Sequence, residues 1–230
     1  YIENVMLTEI RQSYDVRILE LIGNGKKRYS EISSGLRTAD TGLLDKQLKN
    51  LILMETVSKV FPINKKNDKK RQFYEIKDNL MRFYFSYIFG NENLISKFGE
   101  NHFYKNHIEK SINTFISYRF EDIVIQYFSA LARMGKKSDL LDIGSYWYDD
   151  KKNKTNGQFD CVLKDKDGYC FYEVKYYKNP MDIEECKKEE EQIKAVSEIE
   201  PKRIGFVCNA GFSFKSDEYE LLDAEILYSE

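Results

Sequence analysis

The chain has 230 residues, 36 basic and 38 acidic side chains, a net charge of −2 at neutral pH and 42% hydrophobic residues, which suits one large or two small domains with a real core. Only 3 Pro and 12 Gly argue against disordered or collagen-like sequence. No apolar run nears the ~20 residues needed to span a bilayer, no secretory signal is found, and a start at Tyr1 reads as a fragment of a longer protein.

The four cysteines have no paired C-x-x-C spacing and the two histidines, His102 and His107, lie five apart, off one helical face. Zinc is therefore not expected, and buried reduced thiols in a cytoplasmic protein are. The near-neutral charge hides a split. Residues 1–80 carry 15 basic and 11 acidic side chains, residues 81–117 carry 4 and 3, and residues 118–230 carry 17 and 24. A basic front and an acidic back point to modules with different partners.

In chain order, residues 15–23 (DVRILELIG) set Val16, Leu19 and Ile22 at helical spacing behind Asp15, an N-cap type. Ser30 to Gly35 reads as a short second helix with a Ser cap. Residues 41–53 put Leu44, Leu48 and Leu51 on one face and Lys46, Gln47, Lys49 and Asn50 mostly on the other. ETVSKVF and RQFYEI then read as strands around the loop PINKKNDKK. Three helices and a hairpin make a winged helix-turn-helix over residues 1–77. Lys65, Lys66, Lys69, Lys70 and Arg71 gather at its wing tip, where they would hold DNA phosphates while the third helix, with Lys46 and Lys49, enters the major groove. The alternative is a solvated loop on a module used for protein contacts. Residues 78–116 read as a helical connector capped by Asp78, with Leu80, Phe83, Tyr84 and Tyr87 as its packing stripe.

Residues 117–230 read as an α-β-β-β-α-β domain with one further strand. Its elements are helix 113–134, strands 142–148, 158–163 and 169–176, helix 182–199, and strands 203–208 and 223–228. Overall this is an α/β (α+β) chain with a mixed sheet. Within NGQFDCVLKDKDGYCFYEVKYY, a four-residue loop from Asp165 to Gly168 pairs Lys164 with Tyr169, and two-for-two counting sets Asp160 opposite Glu173. Glu173 and Lys175, two apart, share that face. Two carboxylates that close call for a cation between them, and hard divalent cations take oxygen ligands. Glu-x-Lys recurs at Glu75–Lys77 and Glu185–Lys187, but neither has an acid on a neighbouring strand. The competing reading of Asp160, Glu173 and Lys175 is a solvated hairpin with a cross-strand ion pair. No G-x-x-x-x-G-K-[ST] occurs, so no ATP site is expected in this chain.

The segments FYEIKDNLMRFYFSYIF, RFEDIVIQYF, IGSYWYDD, GQFDCVL and YEVKYY, in that order, resemble the C-terminal region of the archaeal-type P-loop ATPase family found in archaea and bacteria. In that family an ATPase domain precedes a winged helix, and a restriction-endonuclease-like domain of the PD-(D/E)xK nuclease superfamily follows. Asn79 departs from the family pattern, which has proline there, and no Pro-Asp pair precedes Asp160. The resemblance implies that Asp160, Glu173 and the Val174 carbonyl ligate Mg²⁺ or Mn²⁺, that Glu121 binds through water, and that Lys175 orients the attacking water or steadies transition-state charge. Gln192, on the following helix, is a further candidate for that cleft, against an exposed helix residue as the alternative. Three functions stay open: a nuclease domain attached to an upstream ATPase domain, with the winged helix contacting DNA; a silent nuclease fold serving as a regulatory module for a protein partner; and a non-enzymatic DNA binder. None involves a membrane.

Overall fold

The computed structural model describes residues 15–25, 27–37, 41–66 and 68–229, with only the backbone of Thr41. Asn67 of the loop PINKKNDKK lies outside the described residues. The chain divides into two compact units, Tyr1–Phe61 with Lys66–Ser111, and Pro62–Lys65 with Ile112–Glu230. Among the described residues no helix is long and apolar enough to cross a membrane.

The first unit begins with α1 (Arg17–Gly23), α2 (Tyr29–Leu36) and α3 (Thr41–Leu53), then the antiparallel hairpin β1 (Val57–Val60) and β2 (Phe73–Ile76), as the winged-helix reading expects. Ile18, Leu19 and Ile22 from α1, Ile32 and Leu36 from α2, and Leu44, Leu48 and Leu51 from α3 close one core with Val57, Tyr74 and Ile76. Val16, not Asp15, is the N-cap of α1, and the Asp15 carboxylate one residue earlier accepts the Arg17 N–H. Ser30 is not the cap of α2. That helix starts one residue earlier at Tyr29, and Glu31 reaches back to the Arg28 N–H.

The connector begins as read, with the Asp78 carboxylate accepting the Met81 N–H ahead of α4 (Asn79–Phe83). Its packing stripe differs, because Tyr84–Ile88 is a turn of π-helix. The wider turn shifts the phase of the 3.6-residue repeat. Met81, Tyr84 and Phe85 are buried, while Leu80 is exposed. A Cβ on Gly23 would meet the Phe85 Cβ at 2.6 Å, so α1 and the π-turn touch backbone to side chain there. Two short helices follow, α5 (Glu92–Phe98) and α6 (Glu100–Phe103). His102 and His107 lie against the rings of Phe98 and Phe103.

The second unit is built on a five-stranded sheet in the order β3 (Asp142–Asp150), β4 (Thr155–Lys164), β5 (Tyr169–Lys175), β6 (Arg203–Cys208) and β7 (Glu220–Asp223). The first three strands are antiparallel, and β5, β6 and β7 run parallel. Alternate residues face opposite layers. Cys161, Leu163, Tyr172 and Val207 pack with Phe120, Val124 and Phe128 of α7 (Ile112–Arg133). Val162, Phe171, Phe206 and Cys208 pack with Cys186 and Ile193 of α8 (Ile183–Lys194).

Two boundaries differ from the sequence reading. The last strand is Glu220–Asp223 rather than 223–228, because the Asp223 carboxylate accepts the Ile226 N–H and starts α9 (Ala224–Tyr228). Helix 182–199 stops at Lys194, and Ser197 beyond it is drawn to Asp150. That aspartate is fully buried at the β3–β4 turn. It accepts the N–H groups of Lys152, Asn153 and Ser197 along with the Ser197 hydroxyl and the Asn153 amide. These donors, led by the Ser197 N–H, hold its carboxyl well below the usual range.

Candidate functional site

The hairpin loop is the one counted from sequence. Asp165 accepts the N–H groups of Asp167 and Gly168, and Lys164 pairs with Tyr169. The ladder ends with Cys161 opposite Tyr172. Glu173 and Lys175 lie on the Phe171 side of β5, the face covered by α8. Asp160 sits where the β3–β4 register slips, and Phe159 and Val162, three apart, both pack on that face, so alternation does not carry Asp160 onto it as the two-for-two count expects.

The Lys175 ammonium lies 2.8 Å from Glu173 Oε1 and 3.0 Å from Glu189 Oε1 of α8. Each of these three side chains is about a fifth exposed. Burial works against the charged form of Lys175, but Glu173 and Glu189 outweigh it and hold its pKa above the usual range. Burial raises the Glu173 carboxyl, with Glu189 and Asp160 adding to it and Lys175 opposing. Asp160 is exposed and takes a 2.8 Å hydrogen bond from the Gln158 amide, two residues back on the same face.

Glu121 reaches this region from the opposite layer. It follows Phe120, whose ring meets Tyr176 just past Lys175, at a centroid distance of 5.7 Å. The buried Cys161 thiol, which packs on the α7 side, is pushed up by burial and then by the charges of Asp160, Glu121 and Glu173. Gln192 is exposed, one turn beyond Glu189 on α8. Glu189 and Gln158 were not singled out by the sequence. The i, i+2 spacing to Asp160 was a signal for Gln158.

A divalent cation can be tested against these donors. The carbonyls of Tyr169 and Lys175 bond Lys202 and Asn209 on the β6 side. Alternation turns the Val174 carbonyl towards β4, past the last registered pair. Two carboxylates and a backbone oxygen suit a hard cation that keeps several waters. Among the described residues no three Asp, Glu, His or Cys side chains are gathered as a metal cluster. The ammonium of Lys175 occupies the Glu173 carboxylate instead.

The basic cluster of the first unit is rearranged from a simple wing tip. Lys65 falls in the Pro62–Lys65 segment grouped with the second unit. Asn64 there exchanges hydrogen bonds with the backbone of Trp147. Lys69–Arg71 form a 3₁₀ turn whose Lys70 N–H is held by Asp68. Lys69 and Lys70 line a cavity with Lys49 of α3, whereas Lys46, Lys66 and Arg71 do not. Arg28 and Lys59, also unsingled by the sequence, line it too.

Residues 84–195 match a protein family, DUF234, described as "Archaea bacterial proteins of unknown function". This stretch includes Glu121, Asp160, Glu173, Lys175 and Glu189. The chain is also similar to an uncharacterized protein of Methanocaldococcus jannaschii, with 33% identity over 135 residues, 57% of this chain. The match spans 29% of that relative's length. No solved structure matches the chain.

Proposed function

We propose that the second unit is a metal-dependent nuclease domain of the PD-(D/E)xK kind and that the winged helix contacts nucleic acid beside it. The observation that supports this reading is the pair of Glu173 and Lys175 on one face of β5, 2.8 Å apart, with Asp160 on β4 one residue past the last pair of the ladder. Asp160, Glu173 and the Val174 carbonyl would hold Mg²⁺ or Mn²⁺, with Glu121 acting through water. When bound, the cation supplies Lewis acidity and a more acidic water. Lys175 places a fixed positive charge where a phosphodiester would gain negative charge. Glu189, 3.0 Å from the Lys175 ammonium, would keep it on that face if Glu173 held a cation. In the resembling family this pair of modules follows a P-loop ATPase domain, and a longer parent protein would carry ATP binding there.

A second reading is a silent nuclease fold that regulates the ATPase or holds a protein partner. Glu189 favours it, since a third acid beside Glu173 and Asp160 makes the cleft repel a nucleic-acid strand. Melting curves with and without Mn²⁺, and cleavage of single- and double-stranded DNA and RNA, separate the two. A Mn²⁺-induced rise in melting temperature together with cleavage that disappears in Lys175→Ala supports the nuclease. No Mn²⁺ shift and no cleavage supports the regulatory module.

A further inference from the structure

The cavity in the first unit has a volume of about 780 Å³ and is lined by the start of α2, the polar side of α3 and the hairpin. Its charge is one-sided. Arg28, Lys49, Lys59, Lys69 and Lys70 line it against a single acid, Asp45. Among the described residues none of these five cations is in an ion pair. Two of them lean on rings instead: Arg28 sits 5.2 Å from the Phe73 centroid and Lys59 5.6 Å from that of Tyr74. Such contacts orient a cation without neutralising it. Four of the five are exposed lysines whose mutual repulsion water screens, and an anion entering among them would meet five cations against one carboxylate.

The volume lies within the range of small-molecule and cofactor sites and is far more than one phosphate group fills. Half-buried Ile52, with the edges of the buried Leu48 and Tyr74, gives the cavity an apolar wall, and Gln72 and Ser30 add polar groups at its edge. Gln72 already points inward, its amide donating to the Tyr74 hydroxyl at 2.8 Å.

We propose that this cavity binds a nucleoside phosphate, with the phosphate on the lysines and the base against the apolar wall. This deepens the winged-helix part of the proposed function. A groove-tracking wing spreads its lysines along a backbone, whereas Lys69 and Lys70 line the same open-mouthed cavity as Lys49 and Lys59. The nucleoside phosphate can come from a free nucleotide or from the end of a nucleic-acid strand, and both present the same chemistry.

The test is isothermal titration of the full chain in chelator, which silences any cation site on the second unit. The probes are ADP, inorganic pyrophosphate, a 5′-phosphorylated single-stranded tetranucleotide and a blunt duplex. ADP is expected to bind at one site and more tightly than pyrophosphate. Charge reversal at the exposed Lys59→Glu or Lys69→Glu should weaken it at least about tenfold, with an unchanged melting temperature. Tighter binding of the tetranucleotide, displaced by ADP, assigns the cavity to a strand end. The reverse order assigns it to a free nucleotide. Equal affinity for pyrophosphate and ADP overturns the proposal. So does ADP binding that both reversals leave unchanged, or binding of the duplex alone. The nuclease reading stands or falls separately, on the Mn²⁺ shift.

Discussion

Lys175 Nζ lies 3.0 Å from Glu189, a residue on the helix that follows the strand, as well as 2.8 Å from Glu173. One ammonium thus serves two carboxylates from two elements, and α8 is tied to β5 by charge as well as by its apolar face. Removing either acid changes what the other can do.

Asp160→Asn tests the cation site. Asp160 is exposed and its charge raises the Glu173 carboxyl. Losing it relieves repulsion, so the metal-free melting temperature should hold or rise slightly. The Mn²⁺-induced shift should disappear, because a cation that binds only the folded state stabilises it in proportion to its occupancy. Calorimetric melting with and without Mn²⁺ reads both. An undiminished shift would place the cation elsewhere.

Glu189→Gln should act in the opposite sense on the metal-free fold. It removes one arm of a partly buried pair, a loss of about 1 kcal/mol, or roughly 2–4 °C in melting temperature for a chain this size. Lys175 then closes on Glu173 alone and one negative charge is gone, so the midpoint for Mn²⁺ should move to higher concentration. A midpoint that stays put would remove Glu189 from the site.

In the first unit, replacing Lys69 and Lys70 with Ala should weaken nucleic-acid binding uniformly across sequences. Each lost phosphate contact should flatten the salt dependence by ~0.9 in slope on duplex or ~0.7 on a single strand. Binding measured by fluorescence anisotropy across a salt series checks this. An unchanged slope would return both lysines to solvent.

The buried Asp150 gives a pH dependence of known sign. Its folded-state pKa is depressed by the N–H groups it accepts. The stability it contributes is therefore present above its unfolded value of about 4 and is lost as pH falls below that. Asp150→Asn should lower the melting temperature at neutral pH by several degrees and flatten its fall in acid. Melting curves at stepped pH compare the two slopes, and parallel curves would show that another carboxylate governs the acid limb.

The sequence made some of this legible. The register of β4 and β5 could be counted because a four-residue turn, Asp165–Gly168, is closed by Asp165 itself. The face of Glu173 and Lys175 then followed from strand alternation. Glu189 did not follow, because α8 reads IEECKKEEEQIK and glutamates occupy inward and outward positions alike. Periodicity cannot choose among them, and the proximity of Lys175 does. The run ELLDAEILY is apolar on both sides of Asp223, so only that residue's capping bond divides strand from helix. In the connector stripe Tyr84 is buried as read and Leu80 is not, and Phe85 joins the core through a π-turn that no 3.6-residue pattern contains.

All four cysteines fall between Cys161 and Cys208, in the second unit. Cys161, Cys186 and Cys208 are fully buried, Cys170 is half-buried, and burial is the leading cause that raises each thiol, Cys186 to about 12. Since the thiolate is the reactive form, labelling of Cys161, Cys186 and Cys208 has to wait for the unit to open, while half-buried Cys170 is reached first. The chain therefore carries an internal clock. The slow, three-thiol phase of modification reports the opening of the sheet-bearing unit alone, while the first unit, without a cysteine, stays silent.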